Sequence, residues 1–360
     1  MKSSGVLDKS SGSVIGYGNE EGGLMTAWEW NDLDHWGFWE SLLLRKEYSA
    51  SQKNYGIFTS TRISIEVLGN DSTPIIDGGV KLFRFGKTLW ETKTDNFGKA
   101  EIFINPYSKP NAFNNSDEYE LHIDNKKVIK NFTLFKDGIN TIVLESKTQH
   151  QLNADICFVL DATGSMGDEL EYVKNELKDV INRVKNLNAQ IRLNTSSVFY
   201  RDGDDKYVTR ISQFTANHNK TIDFINEQKA AGGGDFPEAV HTALNVSLNN
   251  LTWSNFAKSR ILFLLLDAPP HSNENVIQSV KNSINTASKM GIKIIPITAS
   301  GIDKCTEILI RHLGILTNST YVFVTNDSGI GNDHIEASVG KYEVGYLNDL
   351  MERLVNKYLG

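Results

Sequence analysis

Ile156-Cys157-Phe158-Val159-Leu160-Asp161-Ala162-Thr163-Gly164-Ser165-Met166-Gly167 is the stretch from which the chain is best read. It opens as an apolar run of the kind used by buried strands, and the run stops at an acid. Two hydroxyl residues follow on alternate positions between glycines, and a helix-patterned stretch begins at Asp168. The order strand, acid, hydroxyls, helix puts one carboxylate and two hydroxyls on a tight turn at a helix N-terminus. Such oxygen donors suit a hard divalent cation, Mg²⁺ or Ca²⁺, rather than zinc or copper.

The bulk numbers exclude several alternatives. A chain of 360 residues has room for two domains with separate cores. Its 40% hydrophobic and 22% charged residues are those of an ordinary globular protein. A net charge of −7, with no cluster of lysine and arginine, argues against a nucleic-acid partner. The longest apolar run, 261–266, is far too short for a transmembrane segment. Cys157 and Cys305 are too few for a disulfide framework or a zinc site, and Cys157 reads as a small hydrophobe of a buried strand. Residues 1–5 lack the apolar core of a signal peptide, which suits either a chain whose leader has been removed or a cytosolic start. The Asn-x-Ser/Thr triplets, such as Asn131-Phe132-Thr133, reflect an asparagine-rich composition and mark glycans only in a secreted product.

Toward the N-terminus, residues 1–24 are rich in Ser, Gly and Glu and read as a tail or linker. Residues 25–57 are an aromatic-rich docking segment holding Trp28, Trp30, Trp36, Phe38 and Trp39, with a helix expected from Asn31 or Asp32 through Leu44. A strap that buries tryptophan against a neighbouring sheet is the favoured reading, and an aromatic platform for sugar the alternative. From 58 to 148 the pattern changes to short alternating runs at 63–68, 80–83, 100–104, 119–123 and 140–144. Turn chemistry separates them at Asp77-Gly78-Gly79, Asp95-Asn96-Phe97-Gly98 and Asp137-Gly138, so an all-β sandwich is expected. The run Gly79-Val80-Lys81-Leu82 with Thr94-Asp95-Asn96-Phe97-Gly98-Lys99-Ala100 resembles immunoglobulin-like modules of the carboxypeptidase-regulatory and transthyretin-like type. That resemblance implies a spacer or scaffold and names no activity.

Beyond a polar linker at 147–153, apolar strands alternate with amphipathic helices. Strands are expected at 154–160, 191–200, 207–214, 261–266, 293–297 and 321–325. Helices are expected at 168–186, 221–226, 237–248, 274–290, 304–316 and 344–358. This is an α/β, doubly wound, mostly parallel sheet covered on both faces, and a short link at 201–205 makes 207–214 an antiparallel edge strand. Ligands of such sheets bind beyond the carboxyl ends of the strands, where strand order reverses. Two more acids fall on loops that share that edge. Asp267 ends the run 261–266, and Asp235 follows Gly232-Gly233-Gly234.

Asp161-Ala162-Thr163-Gly164-Ser165, the glycine-rich loop and Asp267 together resemble the metal-ion-dependent adhesion site of a von Willebrand factor type A domain, a match covering 151–360. The resemblance implies a Rossmann-like doubly wound fold with one Mg²⁺, or Mn²⁺ or Ca²⁺, at the top of the sheet. It implies hydroxyls that bind the metal directly, aspartates that hold it through water, and a partner oxygen, usually a carboxylate, as the last ligand. The expected metal set is Asp161, Thr163, Ser165, Asp235 and Asp267. Two departures stand out. Thr163 replaces the usual serine but keeps the donor. Asp235 stands where the family has threonine, and Gly233-Gly234-Asp235-Phe236-Pro237-Glu238 resembles a bacterial-type subset.

Asp235 has a second reading, because Asp235, Pro237 and Glu238 form the layout of a capping box at a helix start. If Asp235 does join the metal, three carboxylates surround one dication, and a neutral oxygen ligand is expected in place of a carboxylate. Asp202 reads as a hairpin acid and His271 as a surface histidine. The loop 326–334 is oxygen-rich but lacks EF-hand spacing.

The resulting expectation is a non-enzymatic binding protein that grips a protein or glycan partner through a metal. It would be held out on a β-sandwich at a bacterial cell surface or in secreted form, with a cytoplasmic place as alternative. No Gly-x-Ser-x-Gly elbow, phosphate loop or His-Glu-x-x-His helix is present. Two alternatives remain open: an intracellular assembly factor working with an ATPase in trans, and a metal-assisted hydrolase with Asp235 or Glu238 as base.

Overall fold

The structure is a computed structural model, and it describes residues 23–109, 118–124, 127–145, 152–185, 190–234, 236–330 and 336–360. The first described element is a strand, β1 (Thr26–Trp30), followed by helices α1 (Trp36–Leu43) and α2 (Lys46–Tyr55). Asn31 does not start the expected helix. Its Oδ1 accepts from the backbone N–H of Leu33 (2.9 Å) and Asp34 (3.2 Å), closing a turn, and α1 begins only at Trp36. Residues 1–22, within the expected tail, lie outside the described residues.

Seven strands come next: β2 (Arg62–Gly69), β3 (Gly79–Arg84), β4 (Lys87–Lys93), β5 (Lys99–Phe103), β6 (Tyr119–Ile123), β7 (Lys127–Ile129) and β8 (Asn140–Leu144). They pair into two small sheets, ordered β5-β2-β8 and β4-β3-β6-β7. Alternation in the sequence misses β4, where three of seven residues (Lys87, Glu91 and Lys93) are charged, and β7, which is only three residues long. Inward residues of both sheets, Ile63, Val67 and Ile102 on one and Leu82, Trp90 and Leu121 on the other, belong to one buried cluster.

The second half supplies β9 (Asn153–Asp161), α3 (Gly167–Val184), β10 (Arg192–Tyr200), β11 (Thr209–Thr215), α4 (His218–Asn226) and α5 (Val240–Asn249). It continues with β12 (Ser259–Leu266), α6 (Glu274–Met290), β13 (Ile292–Thr298), α7 (Lys304–Leu316), β14 (Tyr321–Val324), β15 (Gly345–Tyr346) and α8 (Leu347–Leu359). The sheet order is β11-β10-β9-β12-β13-β14-β1-β15. The strands from β10 to β14 run parallel, and β11, as expected, is an antiparallel edge.

Both faces of the central strand are buried, and its alternate residues serve opposite layers. Ile156, Phe158 and Leu160 of β9 pack with Leu170, Val173 and Leu177 of α3, while Cys157 and Val159 join the layer that holds Leu244 and Ile284. The chain places β10 on one side of β9 and β12 on the other, so strand order reverses at β9 and opens a crevice above it.

The sheet also recruits the N-terminal segment. β1 pairs antiparallel with β14, with Trp30 opposite Tyr321, so part of the aromatic stretch is a strand of the sheet itself. The two-sheet region is likewise joined to the second half. Its residues share one hydrophobic cluster with α6 and α7. Arg260 at the foot of β12 forms a bidentate pair with Asp77 (2.7 and 3.0 Å), both side chains 4% exposed. Ser288 donates to the Glu91 carbonyl (3.0 Å), and Asn96 to that of Lys357 (3.0 Å). These contacts lie at the amino ends of β12 and β13, the edge opposite the crevice.

Candidate metal centre

Register sets the first two acids side by side. Leu265 of β12 stands opposite Leu160 of β9, so Asp161 and, two residues beyond Leu265, Asp267 leave the carboxyl ends of neighbouring parallel strands. Asp161 is fully buried, and its Oδ1 accepts from the Thr163 N–H (2.8 Å) and hydroxyl (2.7 Å). The Thr163 hydroxyl lies 3.0 Å from that of Ser165. Sequence thus gathers Asp161, Thr163 and Ser165 locally, and sheet topology adds Asp267. Asp235 lies outside the described residues.

The helix expected from Pro237 starts later. Helix α5 begins at Val240 with Ala239 as its N-cap, not at Pro237. Glu238 sits ahead of it, drawn into a parallel bridge with Pro270, and its N–H donates to the Pro269 carbonyl (2.9 Å). That bridge holds the Glu238 backbone extended and turns its side chain toward the crevice. Glu238 is 3% exposed, and a Cβ on Gly233 would sit 3.1 Å from its Oε1 and 3.3 Å from the Thr163 Cβ. Its carboxyl therefore borders the first loop. Local pattern favours a cap for an acid one residue past a proline, so only the bridge across to Pro270 reveals this role.

The glycine loop is held from two sides. The Gly164 N–H donates to the Gly232 carbonyl and the Ala231 N–H to that of Ala162, each at 3.0 Å. Asp205, missed in the sequence, accepts from the N–H groups of Gly233 (2.9 Å) and Asp202 (3.2 Å). Gly232 and Gly233 have φ of +80° and +72°, and a Cβ on Gly232 would fall 1.9 Å from the Asp205 Oδ1, so glycine is obligatory there. Arg201 adds a brace, donating to the carbonyls of Ala162 (3.0 Å) and Lys229 (2.7 Å). His271 is no plain surface histidine, because its Nε2 bonds the Asp202 Oδ1 at 2.9 Å.

Electrostatics make the cluster unusual. Asp161 Oδ2, Glu238 Oε2 and Asp267 Oδ1 are buried with no hydrogen-bond partner. Burial, then the charge of Asp267, pushes Asp161 up to about 7. Burial, then Asp161, Asp202, Asp267 and Asp205, pushes Glu238 up to about 9. Burial also raises Asp267, against a bond from Ser165. The neighbouring charges acting on Asp161 and Glu238 are all carboxylates, so these groups need protons or a cation. Among the described residues, no three acidic, histidine or cysteine side chains gather tightly enough to hold an ion alone. The donor set here is mixed, two hydroxyls with carboxylates, all hard oxygen. With its orphaned buried oxygens, it fits Mg²⁺ or Ca²⁺. A cavity of about 400 Å³ lies in front, walled by Ser165, Gly233, Phe236, Asp267 and Ser300.

Comparison with known proteins matches part of the chain to a known family. Residues 155–328 match the family model of the von Willebrand factor A domain. A protein of Acanthamoeba polyphaga mimivirus, named as an ariadne-like RING finger protein, is 33% identical over 137 residues, 38% of this chain and 13% of its own length. An alpha-protein kinase of Dictyostelium discoideum is 27% identical over 142 residues, 39% of this chain and 22% of its own length. The chain thus spans less than a quarter of either relative. Among solved structures, BatB of Bacteroides thetaiotaomicron is similar at a TM-score of 0.39 and 12% identity, covering 57% of this chain and 98% of that one. An aerotolerance-related membrane protein of Bacteroides fragilis is similar at 0.37 and 13%, with the same coverage.

Proposed function

We propose that residues 155–328, a von Willebrand factor A domain, grip a partner protein through one divalent cation, Mg²⁺ or else Ca²⁺ or Mn²⁺. Domains of this family commonly bind such ions and mediate metal-dependent protein interactions. Thr163 and Ser165 would supply hydroxyl ligands, and Asp161, Asp267 and Glu238 the charge. The single observation behind this is the set of three buried carboxylate oxygens without partners beside two hydroxyls.

Each side chain has a separate task. Asp161 orients Thr163 through its two hydrogen bonds. Asp267 and Ser165 line the same crevice, and the Ser165 hydroxyl acts on the Asp267 carboxyl. Asp205 and Arg201 fix the loops that carry the site. The cation would supply a centre of positive charge for a partner's oxygen. Glu238, Asp202 and Asp205 crowd that position with negative charge, which favours a neutral carbonyl or hydroxyl oxygen over a carboxylate, so a glycan hydroxyl stays a candidate beside a protein carbonyl. We read the role as binding and not catalysis, since the Ser165 hydroxyl bonds Thr163 and Asp267 and no histidine or lysine.

We read residues 62–144 as an immunoglobulin-like brace. Its buried pairs with α6 and β12 support a rigid attachment at the foot of the sheet in place of a mobile spacer. Among the described residues no helix is long and apolar enough to cross a membrane, and the reading holds for a secreted, surface-held or cytoplasmic chain. Thermal denaturation in chelator and in Mg²⁺ tests it. At a hundredfold excess over Kd, binding adds about 2.7 kcal/mol to stability. An unchanged midpoint in Mg²⁺, Ca²⁺ and Mn²⁺ would remove the reading.

A further inference from the structure

Far from the metal centre, the aromatic segment builds a second site. Helices α1 and α2 and residues 58–60 enclose a cavity of about 590 Å³, walled by Trp36, Trp39, Leu43, Leu44 and Phe58. That volume is in the range of small-molecule sites, which run to roughly 300–1,000 Å³. Leu44 stands 86% exposed at its mouth.

The wall chemistry narrows the ligand. The Trp39 indole N–H is already donated to the Thr59 hydroxyl at 2.9 Å. No wall residue is among the buried side chains left without a hydrogen-bond partner. Ser49, Gln52, Thr59 and Ser60 also line the cavity, but most of its surface is apolar, so an apolar body with a small polar head suits it better than a sugar. The metal crevice is the opposite case, rich in orphaned oxygens. Charge appears only at the rim, as Lys53, Lys109 and Glu40. Among the described residues neither lysine makes an ion pair. Among the described residues, two ammonium groups against one carboxylate leave the rim positive.

We propose that this cavity binds a single-chain amphipathic anion, an acyl chain with a carboxylate head. The chain lies on Trp36, Leu43, Leu44 and Phe58, and the head meets Lys53 and Lys109. Binding does not depend on the cation at the other end of the molecule.

Dodecanoate titrated below its micelle concentration into the whole chain, in chelator, provides the test, with tryptophan emission as the signal. Saturable one-to-one binding is expected. L44E, at an exposed position that leaves folding intact, weakens it about 10-fold or more. The double variant K53E/K109E weakens dodecanoate about 10-fold and leaves neutral dodecanol unchanged. Absence of saturation, equal binding of dodecyltrimethylammonium, or an L44E affinity equal to wild type would each overturn the proposal. So would sedimentation with phosphatidylglycerol vesicles without binding of the free acid, which would make the cavity a membrane patch.

Discussion

One oxygen of Asp161 accepts both the backbone N–H and the hydroxyl of Thr163, at 2.8 and 2.7 Å, while its other oxygen is buried without a partner. Asp161 thereby aims the Thr163 hydroxyl and offers a second oxygen to the crevice. The arrangement carries a cost in the ion-free chain, because burial and Asp267 push this carboxyl up to about 7.

Asp161→Asn is therefore expected to act in two directions. In chelator it relieves a buried charge beside Asp267 and raises stability by about 1–2 kcal/mol. In Mg²⁺ it loses the stabilisation seen in wild type. Paired denaturation curves check both signs, and a variant less stable in chelator would point to a purely structural Asp161.

Thr163→Val keeps the volume but removes the hydroxyl that faces Ser165. Mg²⁺ affinity falls about 10–100-fold, as for removal of other groups that hold or orient a metal. Calorimetric titration reads this directly, and circular dichroism confirms the fold.

Asp205 holds Gly233 in a conformation that suits only glycine. Asp205→Ala is expected to speed amide exchange at Gly233 and to weaken Mg²⁺ about 10-fold, while Asp205→Asn, which keeps an acceptor oxygen, recovers most of both. Gly232→Ala forces a Cβ into the Asp205 carboxylate and costs about 2 kcal/mol or more.

Arg260 and Asp77 join the two halves in a buried bidentate pair. Removing one partner strands a buried charge, so Arg260→Met costs about 3–5 kcal/mol in urea denaturation. Because the cluster beneath is shared by both halves, wild type is expected to unfold in one transition.

His312 sets an acid limit. Buried beneath Trp39, it donates its Nδ1 proton to the Ile308 carbonyl (2.7 Å), and burial holds it down from 6.5 to about 4. Between those values the unfolded chain binds a proton that the folded chain refuses, so stability falls as pH drops from 6.5 toward 4. The loss amounts to about 3 kcal/mol, from 1.36 kcal/mol per unit. His312→Phe flattens that slope.

How much of this was legible depends on distance along the chain. Asp161, Thr163 and Ser165 lie within one turn, where strand, acid and glycine punctuate each other, and Asp267 is marked by the apolar run that it ends. The layered α/β order followed from periodicity alone. Glu238 was read only as part of a cap or as an alternative base, because a proline and an acid near a helix start suggest a cap locally, while its position is fixed by Pro270, 32 residues on. The pairing of β1 with β14 was hidden for the same reason, since Ala27 meets Val324 across nearly the whole chain. Asp77 carried the signature of a turn, and nothing local tied it to Arg260.

A crystal soaked in Mn²⁺ and read by anomalous scattering addresses the metal centre most directly. A single strong peak within ligand distance of the Thr163 and Ser165 hydroxyls, beside Asp161, Asp267 and Glu238, is the expected result. No peak there, with the crevice filled by water at millimolar Mn²⁺, would contradict the assignment of a cation to these residues.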